Sequence, residues 1–262
     1  MYSKKRERYD EYTSTNISKF ACAIVFTCQK VMAAEKMRRQ QEDQIEKWTT
    51  DKKMKLNTKK SKYMIVNFTR NYQVNTRLKL EDKLLEQVPQ TRLLGVIIDE
   101  KLSWQSNTTF IVKKAYKRLT ILHKLYEFAV PIEDLVDVYI LYIRSVLESS
   151  AVVWHSSLTQ GQVMEIERVQ KVAMRIILKE EYECYENALS ECSLQTLSER
   201  RDQLCLSFAK KCKNNERTSD MFPSNDHPYN TRNPEKFYVT PANTNRLAKS
   251  AIPHMQRLLN SN

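Results

Sequence analysis

Glycine is almost absent from this chain, and this absence restricts its possible folds and sites more than any other feature. Only Gly95 and Gly161 occur among the 262 residues. Dinucleotide-binding fingerprints and P-loops need several closely spaced glycines, because their backbone must approach a phosphate without a Cβ in the way. Two distant glycines can form neither motif, so enzymes built on such loops are excluded.

Positive charge is concentrated near the start of the chain. The sequence has 43 Lys and Arg against 31 Asp and Glu, which gives a net charge of +12. Residues 1–62 hold 16 of the basic and 8 of the acidic side chains. Between Asp51 and Lys62 there are six lysines and one acid. Such a cluster favours a polyanionic partner, above all nucleic acid, over an evenly solvated surface.

Signals for metal ions, disulfides and membranes are weak. None of the six cysteines forms a CxxC pair, and the four histidines are scattered. We therefore predict no metal and expect buried or free thiols in a reducing compartment. No run of about 18 apolar residues occurs, so the sequence predicts an intracellular, soluble protein without a membrane partner.

Hydrophobic periodicity predicts an α+β chain in four parts. Residues 1–34 show no clear pattern and are expected to be disordered or irregular. Residues 35–105 contain short strands, and residues 106–213 read as a mainly helical bundle. Residues 214–262 contain five prolines, which predicts an extended tail ending in a short amphipathic helix.

Two segments carry the strand prediction. Lys62–Phe68 alternates between two apolar faces, which is typical of a strand. The apolar run Arg92–Asp99 is rich in β-branched residues and gives the strongest strand prediction, with Gly95 marking a bulge or a close backbone approach.

Four helices are predicted after Trp104. The first covers 110–128, with an apolar stripe that leaves Lys113, Lys114, Lys117 and Arg118 elsewhere on the cylinder. The second covers 131–148 and is apolar almost all round, which predicts a helix buried at the centre of the bundle. A capping box at Thr159 opens the third. The fourth runs over 193–213, and its expected inward residues are Leu197, Leu204, Phe208 and Cys212.

Several strings together resemble the reverse transcriptases of non-LTR retrotransposons, especially Jockey- and CR1-like elements. WTTDKKMKLNTKKSKYMIVNF at 48–68 is similar to the segment that follows their catalytic aspartates, with Leu56, Asn57, Lys60 and Ser61 in its L-N-x-x-K-T motif. RLLGVIIDEKLSW at 92–104 resembles their primer-grip hairpin. Strings within 113–178 resemble the helical thumb, and 185–212 and 229–237 resemble the C-terminal tail. The resemblance covers about 36–262 and implies the end of a palm, a primer grip, a thumb and a tail.

The chain departs from this family at the catalytic centre. The resemblance implies two magnesium ions held by three aspartates, two of them adjacent. The sequence contains no Asp-Asp dipeptide, and the carboxylates that clamp the two metals are therefore missing. RNA-directed DNA polymerase is the family's activity, but we predict that this chain is inactive alone, has no catalytic residues and takes no cofactor.

The remaining expectation is binding of RNA or DNA with low specificity. The candidate residues are lysines and an arginine in two segments: Lys52, Lys53, Lys55, Lys59, Lys60, Lys62, Lys113, Lys114, Lys117 and Arg118. Leu94, Gly95 and Val96 match the primer grip, which contacts the primer end in the family. Trp104 and Trp154 invite base stacking, although Trp154 is expected to lie in the core.

Two alternatives remain at this stage. One is a helical scaffold or interaction protein without a nucleic-acid role. The other follows from a likeness of residues 113–143 to an N-terminal module label of the alkB-homologue-8 family of tRNA-modifying proteins. An iron dioxygenase needs an H-x-D motif, and none of the four histidines is followed by an aspartate two residues on, so the sequence does not support that chemistry.

Overall fold

A computed structural model describes residues 23–27, 47–53, 57, 60–66, 68, 77–80, 83–225 and 237–261. The chain divides into two compact units, Met1–Leu102 and Ser103–Asn262. The described elements of the first unit are mainly short strands, and those of the second are mainly helices. The predicted α+β class, with a small hairpin region followed by a helical bundle, is confirmed.

A parallel sheet organises the first unit. Its order is β1 (Ala23–Thr27), β2 (Lys62–Val66) and β5 (Glu86–Gln87), with β2 in the centre. Tyr63 to Val66 are all buried, so both faces of β2 are covered, as is usual for parallel strands. Phe68 lies beyond the strand and is exposed. The segment expected to be irregular, 1–34, therefore contributes one strand.

Two antiparallel hairpins complete this unit. β3 (Lys79–Leu80) pairs with β4 (Lys83–Leu84), and β6 (Gln90–Leu93) pairs with β7 (Val96–Asp99). The prediction of one strand over Arg92–Asp99 was wrong, because the chain reverses at Leu94 and Gly95. These residues have φ of 49° and 91°, the double positive φ of a two-residue hairpin turn. Gly95 thus makes a turn rather than a bulge.

The second unit is a bundle of helices. The first is α1 (Gln105–Glu127). Ile132–Val138, the π-helical Tyr139–Arg144 and Ser145–Leu147 follow one another without a break and are together called α2. The others are α3 (Ala151–Trp154, extended by the 3-10 turn His155–Ser157), α4 (Gln160–Leu178), α5 (Tyr185–Glu191), α6 (Leu197–Lys213), α7 (Asn245–Ala248) and α8 (Ala251–Ser261).

α1 and α4 pack side by side and run in the same direction. At their first turns the Gln162 amide donates to the Ser103 carbonyl oxygen at 2.9 Å. At their last turns the Lys179 ammonium lies 5.0 Å from the Tyr126 ring centroid. Leu122 of α1 and Ile166 of α4 are fully buried. The capping box predicted at Thr159 is present and opens α4.

α2 is buried on one side only. Leu135, Tyr139 and Ile143 are fully buried, whereas Leu141 is 75% exposed. The prediction of an almost wholly buried helix was therefore wrong. Apolar residues occur all around this helix, but α1 and α4 cover a single face of it.

The inward face of α6 differs from the predicted one. Leu197 and Cys212 are buried as expected, but Leu204 is half-buried and Phe208 is 43% exposed. The remaining inward positions belong to Arg201, Cys205 and Ala209. Hydropathy places Arg201 in solvent. The predicted inward stripe of this helix was therefore displaced by one residue from the observed one.

The end of the chain packs against α6. Phe237, Met255 and Leu259 form one apolar cluster with Cys205 and other residues of α6. The side chain of Asn260 donates to the Phe237 carbonyl and accepts from the Phe237 amide, both at 3.0 Å. The terminal amphipathic helix predicted within 214–262 is α8, and 237–261 is held against the bundle rather than extended. None of the helices in the described part of the chain is long and apolar enough to cross a membrane.

Candidate functional site

The outward face of α1 carries a row of lysines. The helix contains five basic residues and one acid, Glu127 in its last turn. Its buried residues share one side, and Lys113, Lys117 and Lys124 project from the opposite side, where all three are exposed. Lys113 and Lys117 are about 6 Å apart along the axis, and Lys113 and Lys124 about 16 Å. We call Lys113, Lys117 and Lys124 the lysine row.

Lys114 and Arg118, predicted with these lysines, occupy different positions. Lys114 is exposed to one side of the row. Arg118 is half-buried, its guanidinium lies 4.1 Å from the Tyr142 ring centroid, and it donates to the Tyr142 carbonyl oxygen. Arg118 thus joins α1 to α2, and its role in the structure is packing between helices.

The predicted lysines of the first unit are unevenly placed. Lys52 and Lys53 are exposed at the end of a helical turn, and Lys60 is exposed before β2. Lys62 forms an ion pair with Glu86 of β5 at 3.0 Å, so its charge is already partnered across the sheet. Lys55 and Lys59 lie outside the described residues.

Leu94, Gly95 and Val96, which the resemblance matches to a primer grip, lie at the tip of the β6–β7 hairpin. Leu94 is 69% exposed, Gly95 is beside it in the turn, and Val96 is 7% exposed. The resemblance implies a contact surface here, and the structure presents one apolar side chain at this tip, that of Leu94.

A second set of cations follows α4 but lies among acids. Arg168, Lys171, Arg175 and Lys179 recur once per turn on its outer side. Lys171, Arg175 and Lys179 lie over the rings of Tyr185, Tyr182 and Tyr126. The exposed residues Glu180, Glu181, Glu183 and Glu186 follow directly, and their negative charge offsets the positive charge of these four cations. The lysine row of α1 is therefore the better polyanion surface.

Three polar residues that are distant in sequence meet where α3, α6 and α8 converge. One carboxylate oxygen of Asp202 lies 3.2 Å from His155 Nε2 and 2.8 Å from His254 Nε2. On its other side, His155 Nδ1 accepts a hydrogen bond from Arg201 Nε at 3.0 Å. We call His155, Arg201, Asp202 and His254 the polar junction.

Two histidines and a carboxylate could in principle hold a metal ion, and their candidate ligand atoms lie within 4.8 Å of one another. Arg201 argues against this use. An arginine Nε–H can only donate, so the lone pair of His155 Nδ1 is occupied and the neutral ring carries its proton on Nε2. A metal-bound histidine would instead donate through its second nitrogen to a carboxylate or carbonyl. The donor set does not fit a metal, and the junction acts as a hydrogen-bonded link.

Burial and hydrogen bonding act in opposite directions on Asp202. Burial raises the pKa of its carboxyl. The hydrogen bonds from His155 and His254 lower this pKa by more than burial raises it, so the resulting pKa lies well below the usual range. The carboxylate therefore stays ionised while the unit is folded.

A second buried network stabilises the contact between α2 and α4. Tyr139 donates to the side-chain oxygen of Gln170 at 2.5 Å, and the Gln170 amide donates to the Tyr185 hydroxyl at 3.0 Å. Tyr185 in turn donates to Glu167, which also accepts from the Leu197 amide at 3.1 Å. Burial is the main cause that raises the pKa of the Tyr185 hydroxyl, and the neighbouring Glu167 raises it as well. The hydroxyl stays protonated, and the network supports the bundle.

Sequence reasoning did not find the polar junction. Its members come from three helices, and their spacing in the sequence matches no known motif. His155 and His254 were therefore treated as scattered histidines. A signal was present in Arg201, which lies four residues after Leu197 and three before Leu204, on the apolar side of the fourth predicted helix. A charge in such a position needs a partner.

Comparison with known proteins gives no relative: no protein-family model, no curated protein and no solved structure matches this chain.

Proposed function

We propose that the chain is the C-terminal part of a reverse-transcriptase-like retroelement protein that binds RNA or DNA through its phosphates. The lysine row is the observation that carries this proposal. It presents three exposed cations on one side of a long helix, in a stretch with no acid from Ser103 to Tyr126.

The proposed family rests on the order of the sequence strings. Two features of the fold support it. A hairpin at 90–99 precedes a long helix that carries a basic face, and an apolar helix follows. The adjacent aspartates of the family are absent, so the proposed role is binding without polymerisation by this chain alone.

Binding through the lysine row is electrostatic. Each lysine that contacts a phosphate releases condensed counterions, and the affinity falls as salt rises. The row stands on the exposed side of a helix, where its ammonium groups can contact phosphates. Phosphate contacts position a protein without reading sequence, so the expected affinity depends weakly on base composition.

Charge reversal of the lysine row tests the proposal. We expect the triple variant K113E/K117E/K124E to bind labelled RNA and DNA at least tenfold more weakly than the unaltered chain at low salt. The slope of log affinity against log salt should become shallower by about 2 to 3, because three phosphate contacts are lost. Fluorescence anisotropy over a salt series measures both quantities.

The matched control reverses three exposed cations elsewhere in the second unit, in K210E/K211E/R217E. The change in net charge is the same, so only the position of the charges differs. The proposal fails if the two triple variants lose affinity equally, or if binding by the unaltered chain does not respond to salt.

The same experiment evaluates a helical scaffold without a nucleic-acid role. Phe128 and Leu141 are 80% and 75% exposed, and the alternative function is that a protein partner covers them. Absence of measurable binding by the unaltered chain would favour that function instead.

A further inference from the structure

Tyr116 stands beside the lysine row and presents an aromatic ring to solvent. Its side chain is 37% exposed. On the helix surface its neighbours on the outward side are Lys113, three residues earlier, and Thr120, four residues later, each with Cβ about 5–6 Å away. Long helical side chains lean towards the N-terminus, so the ring lies next to Lys113.

The ring of Tyr116 has no partner within the described parts of the chain. Tyr126, Tyr142, Tyr182 and Tyr185 each lie under a cation that holds the ring in the bundle. No hydrogen bond, ring contact or cation–π contact joins Tyr116 to another described residue. Trp104 and Trp154 are 5% and 0% exposed, so neither tryptophan offers a free face. Among the described aromatic residues, Tyr116 thus combines a ring without such a partner and a position beside the lysine row.

We propose that Tyr116 stacks on an unpaired base and gives the lysine row a preference for single-stranded nucleic acid. This inference rests on the proposed function, because the lysines must first bring the strand to α1. Phosphates on either side of the stacked base would then contact Lys113 and Lys117. An aromatic ring beside a row of cations is an arrangement that binds single strands without reading their sequence.

The preference for single strands follows from what each form of nucleic acid can offer. In a duplex the bases are stacked on one another, and only phosphates and sugars are available to a convex helix. In a single strand every base has an accessible face, and any base can stack on tyrosine. The lysine row therefore contributes to binding of both forms, whereas Tyr116 contributes to binding of single strands alone.

Substitution of Tyr116 separates the two contributions. We expect Y116A to bind oligo-dT and oligo-rU roughly five- to a hundredfold more weakly, the range that base–aromatic stacking implies. Its affinity for a blunt-ended duplex with the same number of phosphates should change by less than about twofold, since duplex binding relies on phosphate contacts. Y116F keeps the aromatic face and should bind both probes as the unaltered chain does.

The control is Y238A, which removes another half-exposed tyrosine, 45% exposed and far from α1 in sequence. It should leave the affinity for single strands unchanged. A second measurement uses an oligonucleotide containing 5-iodouridine, which forms a photochemical bond to an aromatic side chain stacked on it. Peptide mapping should place this bond on Tyr116.

The outcomes distinguish the two proposals. If the unaltered chain binds neither probe, the proposed function fails and this inference fails with it. If it binds both and Y116A weakens both equally, weakens neither, or matches Y238A, the lysine row stands and stacking on Tyr116 is refuted. Crosslinks that map elsewhere would refute it in the same way.

Discussion

Arg201 places a formal charge in the interior of the second unit. The side chain is fully buried, its Nε donates to His155, and its guanidinium lies 5.9 Å from the Trp154 ring centroid. Its two terminal nitrogens have no hydrogen-bond partner among the described residues. Burial lowers the pKa of the guanidinium, while Glu167 and Glu148 raise it. An arginine remains charged in such surroundings, so the interior of this unit is held partly by electrostatics.

Removal of this guanidinium should destabilise the unit strongly. We expect R201A to lower the free energy of unfolding by about 3–5 kcal/mol, because it leaves His155 Nδ1 without its donor, removes a buried positive charge that Glu167 and Glu148 favour, and creates a cavity. R201M fills the volume and should lose less. Urea unfolding followed by circular dichroism measures the difference, with R217A, an exposed arginine, as the control expected to change little. Equal stability of R201A and R217A would contradict a structural role.

Among the helices, α6 shows how local sequence fixes one end of an element. Thr196 and Glu199 form a reciprocal capping box: the Thr196 hydroxyl oxygen accepts from the Glu199 amide at 3.2 Å, and Glu199 accepts from the Thr196 amide at 3.3 Å. The box satisfies two backbone groups that the first turn leaves without partners. The helix therefore begins at Leu197, four residues later than the predicted start at 193.

Loss of this cap should be measurable. T196A is expected to lower the free energy of unfolding by about 0.5–2 kcal/mol, because the Glu199 amide loses its acceptor. T196S retains the hydroxyl and should remain close to the unaltered chain. Thermal or urea unfolding of the three proteins gives the comparison. The prediction is contradicted if T196S is destabilised as much as T196A.

At the scale of the second unit, the polar junction ties the end of the chain to the bundle. Asp202 lies on α6, His155 lies in the 3-10 turn that extends α3, and His254 lies on α8. The Ser157 hydroxyl also donates to the Lys249 carbonyl oxygen at 3.0 Å. With the apolar cluster around Met255 and Leu259, these bonds make residues 237–261 part of the same packed unit as α6.

The junction makes stability depend on acid pH. Because the pKa of Asp202 is depressed in the folded unit, its contribution to stability is complete above the unfolded value of about 3.9 and is lost as pH falls below it. D202N has no such group. The gap in urea midpoint between the unaltered chain and D202N should therefore narrow as pH falls from about 5 to about 2. A gap that stays constant over this range would show that Asp202 has no role in the acid response.

Much of the fold followed from local patterns. The apolar stripe of α1, the capping box of α4, the terminal amphipathic helix and the burial of Trp154 were all predicted, and each rests on residues close together in the chain. The errors have two causes. The Arg92–Asp99 error arose because the apolar run hides the two-residue turn at Leu94 and Gly95. The inward face of α6 and the exposure of Leu141 depend on which distant residues cover a segment, and hydropathy does not contain that information.

The candidate site divides in the same way. Lys113, Lys114, Lys117 and Arg118 were predicted from their helical spacing. The structure assigns Arg118 to Tyr142 and Lys62 to Glu86, and it adds Lys124, which was not predicted, to Lys113 and Lys117 in one exposed row. No local pattern distinguishes a lysine that faces solvent from an arginine that packs on a neighbouring helix. The distinction follows from where α2 lies against α1.

By itself the sequence determined the α+β class, the apolar stripe of α1, the capping box that opens α4, and the net positive charge. The reason is that capping, amphipathic periodicity and net charge each depend on residues within a few positions of one another, or on composition. Only the tertiary structure decided that Arg201 is buried, that His155, Asp202 and His254 meet, and that Tyr116 remains unpartnered beside the lysine row. These features depend on contacts between segments distant in the chain, and such contacts exist only once the helices have packed.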